Sequence, residues 1–251
     1  MRKNNFMLSL TFILFSLTAH AVTPDKVSIA VLHIEDVLEA KRDDLPYVNI
    51  LRILDQRIPI QFEYQFVHAL RVKETFDPKN NMACLFPNSI LAKDFGRPLI
   101  ESSPILIAKA YFIAKHPLTS EAIVNPDHPP LQLGYRYGNT FGGKIRLLSH
   151  HKLIPLNSGA DIRNLIERDR IDAFLGYLPD SFAIINKLPD KPLVYTEASL
   201  FHSQRDSFLC QDTPDNQILM TLINNEIQKM IDSGELARIL APLKKTIPGQ
   251  S

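Results

Sequence analysis

The chain has 251 residues, with 28 Lys and Arg against 27 Asp and Glu, so its formal net charge is +1. This near-neutral balance provides no electrostatic attraction for nucleic acid or an anionic membrane surface, and neither is expected as a partner. With 45% hydrophobic residues, the chain can bury the core of one large domain or two small ones.

The start of the chain has the pattern of a secretory signal peptide. A basic start at Arg2 and Lys3 is followed by an apolar stretch and by the small-x-small sequence Ala19-His20-Ala21. The apolar stretch is shorter than the roughly 20 residues that cross a bilayer, so removal of residues 1–21 is expected rather than anchoring. The mature chain would begin at Val22, which has no thiol for a lipid anchor, and the expected location is the periplasm.

Up to Pro87, short apolar runs alternate with segments of helical periodicity. The runs rich in β-branched and aromatic residues predict strands, and the runs with one apolar face predict helices. The predicted strands cover 26–32, 58–66 and 82–86, and the predicted helices cover 46–54 and 69–76. This β-α-β-α-β order predicts a parallel sheet with helices on its faces.

A second α/β series follows a proline-rich interruption at 117–130. A strand-like run over 105–114 leads into it, and the chain becomes apolar again over 207–210 before two closing helices. The predicted strands of this series cover 131–135, 171–177 and 193–195, and the predicted helices cover 140–150, 158–166 and 181–187.

Two α/β blocks with strand-like runs at both junctions predict two lobes. We expect a discontinuous first lobe at 22–112 and 203–251, with the second lobe, 113–202, inserted into it. Ligands of such sheets bind outside the carboxyl ends of the strands, which places the expected site in the cleft between the lobes.

Only two cysteines are present, Cys84 and Cys210. In an oxidising compartment they could form a disulfide, or they could be two separately buried thiols; spacing alone does not decide between these alternatives. The sequence has no metal-ligand spacing and no phosphate-binding, dinucleotide-binding or nucleophile-elbow motif. No metal and no cofactor are therefore expected.

Four local phrases, in order along the chain, resemble the type II periplasmic solute-binding proteins, specifically extracellular solute-binding family 3. The resemblance extends from Lys26 to about Leu243. The phrases are Ser103-Pro104-Ile105-Leu106, the strand and glycine turn at 133–138 with Thr140, the helix-to-strand segment at 167–174, and the turn at 232–236. The resemblance implies an α/β, two-lobed fold with a helix-flanked sheet in each lobe, and a cleft for a small amino-acid-like solute.

The family's ligand residues carry over only in part. Its carboxylate-binding arginine corresponds to Arg97, which lies two residues closer to Pro104 than is usual, and its helix-start hydroxyl corresponds to Thr140, beside Asn139. Arg97 could also be a solvated loop residue, and Thr140 a plain helix cap. Tyr177 stands where the family has an acid for the ligand amine, and this departure argues against an ordinary α-amino acid as the ligand.

Three further residues are candidates for the cleft wall. Tyr47 would provide an aromatic surface in the first lobe, and it could equally be a half-buried residue at a helix entry. Asn88 and Ser89 follow the third predicted strand at its carboxyl end, where they could donate hydrogen bonds to a ligand or form a turn after Pro87.

The leading hypothesis is a monomeric binding protein, not an enzyme, whose small polar or anionic solute bridges the lobes. It would serve an inner-membrane ABC-type transporter or a sensor. An enzyme on the same fold, with Asp180 or Glu101 as acid or base, is the second hypothesis. The third is an interaction protein that kept the fold and lost the ligand site.

Overall fold

The computed structural model describes residues 25–87, 95–186, 188 and 192–244. The predicted signal segment and two candidate site residues, Asn88 and Ser89, lie outside the described residues. Within those ranges, no helix combines the length and the apolar character needed to cross a membrane.

Ten described strands form two sheets. They are β1 (Lys26–Leu32), β2 (Gln61–Val67), β3 (Cys84–Phe86), β4 (Leu99–Glu101), β5 (Leu106–Ala114), β6 (Gln132–Arg136), β7 (Lys152–Leu156), β8 (Ala173–Leu178), β9 (Leu200–Asp206) and β10 (Leu209–Gln211). The first sheet has the order β2-β1-β3-β10-β4, and the second has the order β7-β6-β8-β5-β9. Both sheets are mixed: β1, β2 and β3 run parallel, as do β6, β7 and β8, while β10 and β5 run antiparallel to their neighbours.

Helices flank both sheets. The described α-helices are α1 (Pro46–Arg57), α2 (Val72–Thr75), α3 (Ser120–Val124), α4 (Gly159–Glu167), α5 (Phe182–Ile185), α6 (Pro214–Asp232) and α7 (Glu235–Leu240). In the first lobe, α1 and α6 bury apolar residues such as Ile50, Leu54, Leu219 and Ile223 in one core with the strand residue Ile29. The predicted two-lobed α/β architecture is confirmed.

The local signals for helix ends act as the sequence predicts. Thr213 caps α6 by accepting a hydrogen bond from the Asn216 N–H at 3.2 Å, and Pro214 follows at the first helical position. Gly234 follows that helix with a φ of 70°, a left-handed value that favours glycine. The predicted capping box between Ser158 and Asp161 at the start of α4 is also confirmed.

Two chain crossings join the sheets, and they are hydrogen-bonded to each other. Ser102 donates its N–H to the Phe208 carbonyl at 2.9 Å, and its hydroxyl accepts from the Phe208 N–H at the same distance. The Ile105 N–H donates to the Asp206 carbonyl at 2.8 Å. The second sheet contains all of β5 and β9, so both crossings lie closer to the chain ends than the predicted boundaries at 112/113 and 202/203.

Several elements differ from the sequence prediction. The segment 193–195 contributes only a single bridge, Ala114 to Val194, and the proline-rich segment contains the short helix α3. Strand β7 was missed because Pro155 interrupts its pattern, which an edge strand tolerates. Strand β9 was missed because its polar residues hide the alternation.

Cys84 and Cys210 form a disulfide. They lie directly opposite each other on the antiparallel strands β3 and β10, with their Cα atoms 4.0 Å apart. The bond ties the returning chain to the first sheet across a sequence separation of 126 residues.

Removal of this disulfide in a Cys84→Ser/Cys210→Ser variant should lower the free energy of unfolding. A loop of this length corresponds to about 4–5 kcal/mol in the chain-entropy model. Urea unfolding of the oxidised protein and the variant measures the difference. An unchanged unfolding midpoint with an unchanged slope would contradict the prediction, and thiol titration of the unfolded, non-reduced protein serves as the control.

Candidate functional site

A small cavity of about 90 Å³ lies between the two sheets. This is below the roughly 300–1,000 Å³ of pockets for drug-sized ligands, so the cavity suits a small solute. It opens at the carboxyl ends of β1, β6 and β8, the edge at which α/β sheets bind ligands. The lining residues are Leu32, His33, Ile34, Ala69, Pro87, Ala108, Arg136, Gly138, Asn139, Thr140, Phe141, Tyr177, Asp180, Gln204 and Asp206.

Two carboxyl groups line this cavity from different parts of the chain. Asp180 follows the end of β8, and Asp206 is the last residue of β9, at the crossing to the first sheet. Burial raises the pKa of Asp180 to about 6, although the positive charge of Arg136 opposes the shift. A carboxyl held in this environment is partly protonated near neutral pH.

Asp206 is the more buried of the two, with 5% of its surface exposed. The Tyr47 hydroxyl donates to its Oδ2 at 2.6 Å, and the Gln204 amide lies 3.5 Å from its Oδ1. Burial raises the pKa of Asp206 to about 8; the Tyr47 hydrogen bond opposes this, and the nearby negative charge of Asp180 adds to it. Without a ligand, Asp206 is therefore largely neutral at pH 7.

An ion pair connects the two lobes at the cavity edge. The guanidinium of Arg136, at the end of β6, donates to Oε2 of Glu35, which follows β1 in the other lobe, at 2.7 Å. The same oxygen accepts the Gly159 N–H, at the start of α4, at 3.3 Å. Burial raises the pKa of Glu35, but these two hydrogen bonds and the positive charges of Arg136 and Arg163 outweigh it, so the net pKa is lowered. Glu35 thus carries a full negative charge, which compensates the positive charge of Arg136.

One wall of the cavity is aromatic. Tyr177 and Phe141 stack with their ring centroids 5.2 Å apart, and both are almost fully buried. His202 approaches Tyr177 edge-on at 6.4 Å between ring centroids, and its buried Nε2 has no hydrogen-bond partner among the described residues. Burial lowers the pKa of His202, so this ring is favoured in its neutral form.

The structure brings most of the described candidate residues to one place. Asn139, Thr140 and Tyr177 line the cavity directly. Tyr47 reaches it through the hydrogen bond to Asp206 and is itself buried in the first lobe.

Arg97 is placed elsewhere, which corrects the prediction that it corresponds to the family's carboxylate-binding arginine in the cleft. It is absent from the cavity lining, and its guanidinium donates to the Phe76 carbonyl. The guanidinium carbon lies 4.9 Å from the Phe76 ring centroid and 5.2 Å from that of Phe95. The arginine is thus held in the first lobe by two cation–π contacts and a hydrogen bond to a carbonyl.

The predicted helix over 140–150 is also different. The segment Phe141–Leu148 is a 3-10 helix interrupted at Gly142 and Gly143, whose φ values of 65° and 81° are left-handed. Thr140 makes no capping hydrogen bond. Because two left-handed glycines interrupt its first turn, this segment is not a regular α-helix that begins at Thr140.

Sequence reasoning missed the charged residues that dominate the cavity. Asp180 was considered only as the acid or base of an enzyme on this fold, and Asn139 and Thr140 were expected to bind the ligand. Arg136, Gln204 and Asp206 carried no local signal, because their position depends on how β9 crosses between the sheets.

The fold is shared with solved amino-acid-binding proteins, and the identities are low. The ligand-binding core of GluR0 in complex with L-glutamate is 12% identical, with a TM-score of 0.69 over 88% of this chain and 98% of that chain. AbpA from Streptococcus pneumoniae, an amino acid ABC transporter substrate-binding protein bound to L-arginine, is 16% identical, with a TM-score of 0.63 over 88% and 97%.

A third neighbour is AncCDT-1, an ancestral amino-acid-binding protein described as a precursor of cyclohexadienyl dehydratase. It is 11% identical, with a TM-score of 0.64 over 88% of this chain and 96% of that chain. No protein-family model matches the sequence, and no curated protein matches it. The likeness establishes the type II periplasmic-binding-protein fold and is consistent with the resemblance to extracellular solute-binding family 3.

The raised pKa of Asp206 predicts a pH-dependent stability. Between its ordinary pKa of 3.8 and its folded value of about 8, the native state binds more protons than the unfolded state, so stability falls as pH rises through this window. Asp206→Asn keeps an acceptor for Tyr47 and removes the titration. The melting temperature of Asp206→Asn minus that of the protein without the substitution should therefore be larger at pH 8 than at pH 5.

Differential scanning calorimetry at the two pH values measures this effect. The charged and titratable groups that act on Asp206 are Asp180 and Tyr47, and neither is altered. Asp127→Asn, at an exposed carboxyl outside the cavity lining, is the matched control. If the melting temperatures of Asp206→Asn and of the protein without the substitution differ by the same amount at both pH values, the pKa of Asp206 is not raised.

Proposed function

We propose that this protein is an exported solute-binding-type protein that holds a small polar solute in the cavity between its lobes. One observation carries the proposal: residues that follow strands of both sheets, among them His33 after β1 in the first and Asn139, Thr140 and Asp180 after β6 and β8 in the second, line one cavity at the carboxyl ends of the strands. The crossings beside Asp206 are the natural hinge, and a solute touching both lobes would favour their closed arrangement.

The names of the structural neighbours support the same role. They include a substrate-binding protein of an amino acid ABC transporter and the ligand-binding core of GluR0. By analogy, the protein would deliver its solute to an ABC-type transporter or report it to a membrane sensor. We place the mature protein, from Val22, in the periplasm as a monomer.

An enzyme on the same fold is the second candidate, and the raised pKa of Asp180 favours it, because a carboxyl with a pKa near neutrality can act as a general acid. Glu101, the other acid considered, instead accepts hydrogen bonds from Arg205 at 2.9 Å and Ser207 at 2.6 Å, and it does not line the cavity. The two roles differ in outcome. An enzyme converts and releases its substrate, whereas a binding protein retains its solute unchanged.

The proposal predicts that protein purified without unfolding carries a solute. A double variant, Asn139→Ala/Thr140→Ala, should retain it about 10- to 30-fold less tightly, since each lost hydrogen bond contributes about 1 kcal/mol. Native mass spectrometry measures the bound fraction during stepwise dilution. Thr221→Ala/Asn225→Ala, on the exposed face of α6, is the matched control.

Equal retention by both double variants would place the solute outside this cavity. A solute-free protein whose melting temperature is also unmoved by amino acids, amines, sugars and organic acids would contradict a binding role.

A further inference from the structure

The charges that line the cavity do not balance. Asp180 and Asp206 face it as acids, and Arg136 is the cationic side chain among the described lining residues. Arg136 is already paired with Glu35 at 2.7 Å, and Glu35 is further held by the Gly159 N–H. Glu35 therefore compensates the charge of Arg136, although that charge also acts on Asp180, and the described lining contains no second Lys or Arg to face the two acids.

The two acids also lack charged donors. Asp206 accepts one short hydrogen bond, from the Tyr47 hydroxyl, and a long one from Gln204. In the described part of the chain, the carboxyl of Asp180 receives a hydrogen bond only from its own backbone N–H. A buried carboxylate needs charged or multiple donors to stay ionised. A positively charged ligand would supply the charged donor that the protein does not provide.

Resting on the proposed binding role, we infer that the solute is an organic cation, an amine or guanidine without a carboxylate, whose nitrogen lies between Asp180 and Asp206. A ligand carboxylate would meet two acids and find no unpaired cation among the described lining residues. An amino acid, whose two groups need opposite partners, is therefore disfavoured relative to the matching amine.

The aromatic wall distinguishes an organic cation from a metal ion. Tyr177 and Phe141 provide stacked ring surface against which a cationic nitrogen or its methylene chain can pack. The described residues contain no group of three or more His, Cys, Asp or Glu side chains arranged to hold a metal ion. Two carboxyls beside aromatic rings match an amine or guanidinium better than a bare divalent cation.

Matched pairs of ligands that differ by one carboxylate test the inference. Calorimetric titration of the protein, after its retained solute has been dialysed away in denaturant and the chain refolded with its disulfide intact, would compare L-arginine with agmatine and L-lysine with cadaverine. L-glutamate serves as the anionic probe. We expect at least one amine to bind, about tenfold or more tighter than its amino acid, and no binding of L-glutamate.

Variants locate the cationic group. Asp180→Asn and Asp206→Asn should each weaken binding of the tightest amine by about 10- to 150-fold, the loss expected for a charge-assisted hydrogen bond. Asp127→Asn should bind as the unchanged protein does. Thermal melts of each variant, with Asp206→Asn expected to gain stability at pH 8, show that a loss of binding is not a loss of folding.

The outcomes separate this inference from the proposed function. Tighter binding of an amino acid or of L-glutamate, or unchanged amine affinity in both Asn variants, overturns the cation site while the binding role stands. If none of these probes binds, the solute retained by the natively purified protein decides: a cationic nitrogen without a carboxylate supports the inference, and any other solute overturns it. No retained solute and no bound probe overturns both proposals.

Discussion

The pairing of the two chain crossings is the constraint on which the rest of the structure depends. Ser102 and Phe208 bind each other through two hydrogen bonds, and the Ile105 N–H binds the Asp206 carbonyl, so the paths between the sheets form one narrow ribbon. This ribbon fixes the backbone of Asp206 at the cavity. Asp206 therefore lies where β9 of the second sheet ends and the path to the first sheet begins, and its side chain reaches Tyr47 of the first lobe.

Aromatic packing and the disulfide anchor the ribbon on the first-lobe side. The ring of Phe208 stacks on Phe86 with 4.5 Å between centroids, and Tyr47 packs against Phe86 at 5.7 Å while its hydroxyl reaches Asp206. The disulfide between Cys84 and Cys210 joins β3, which carries Phe86, to β10, which begins directly after Phe208. Substitutions in this core would thus affect the cavity, because Tyr47 connects the core to Asp206.

Burial shapes the protonation of the acidic pair. It disfavours the charged forms of Asp180 and Asp206, and ionisation of Asp180 raises the cost of ionising Asp206. Asp206 is therefore largely neutral in the empty protein at pH 7. A ligand that supplies positive charge would favour its ionised form, so its binding would be coupled to the release of a proton.

The sequence predicts the architecture better than it predicts the site. Strand and helix periodicity, the Thr213 cap and the capping box at Ser158 are local signals, and the structure confirms them. The position of Arg97 was inferred from spacing to Pro104, which says nothing about the aromatic rings of Phe76 and Phe95 that hold it. The prediction of a helix from Thr140 was wrong for a local reason, because two consecutive glycines adopt left-handed conformations.

The charged residues of the cavity come from segments far apart in sequence, and only the tertiary structure brings them together. In the sequence, Asp206 is only a polar residue at the end of a strand-length segment. In the structure, the crossing that follows directs it to the cavity. The sequence does not show that Arg136 is paired. In the structure, its guanidinium lies 2.7 Å from the carboxylate of Glu35. Neighbours with the same fold, at 12–16% identity, therefore share the scaffold, while the choice of ligand depends on these few side chains.

A crystal structure of the protein purified without unfolding tests the central claim most directly. The account predicts a small molecule between the lobes, with one cationic nitrogen within hydrogen-bond distance of both Asp180 and Asp206, and with the Glu35–Arg136 pair intact. An empty cavity, or an anionic group that displaces Glu35 from Arg136, would contradict it.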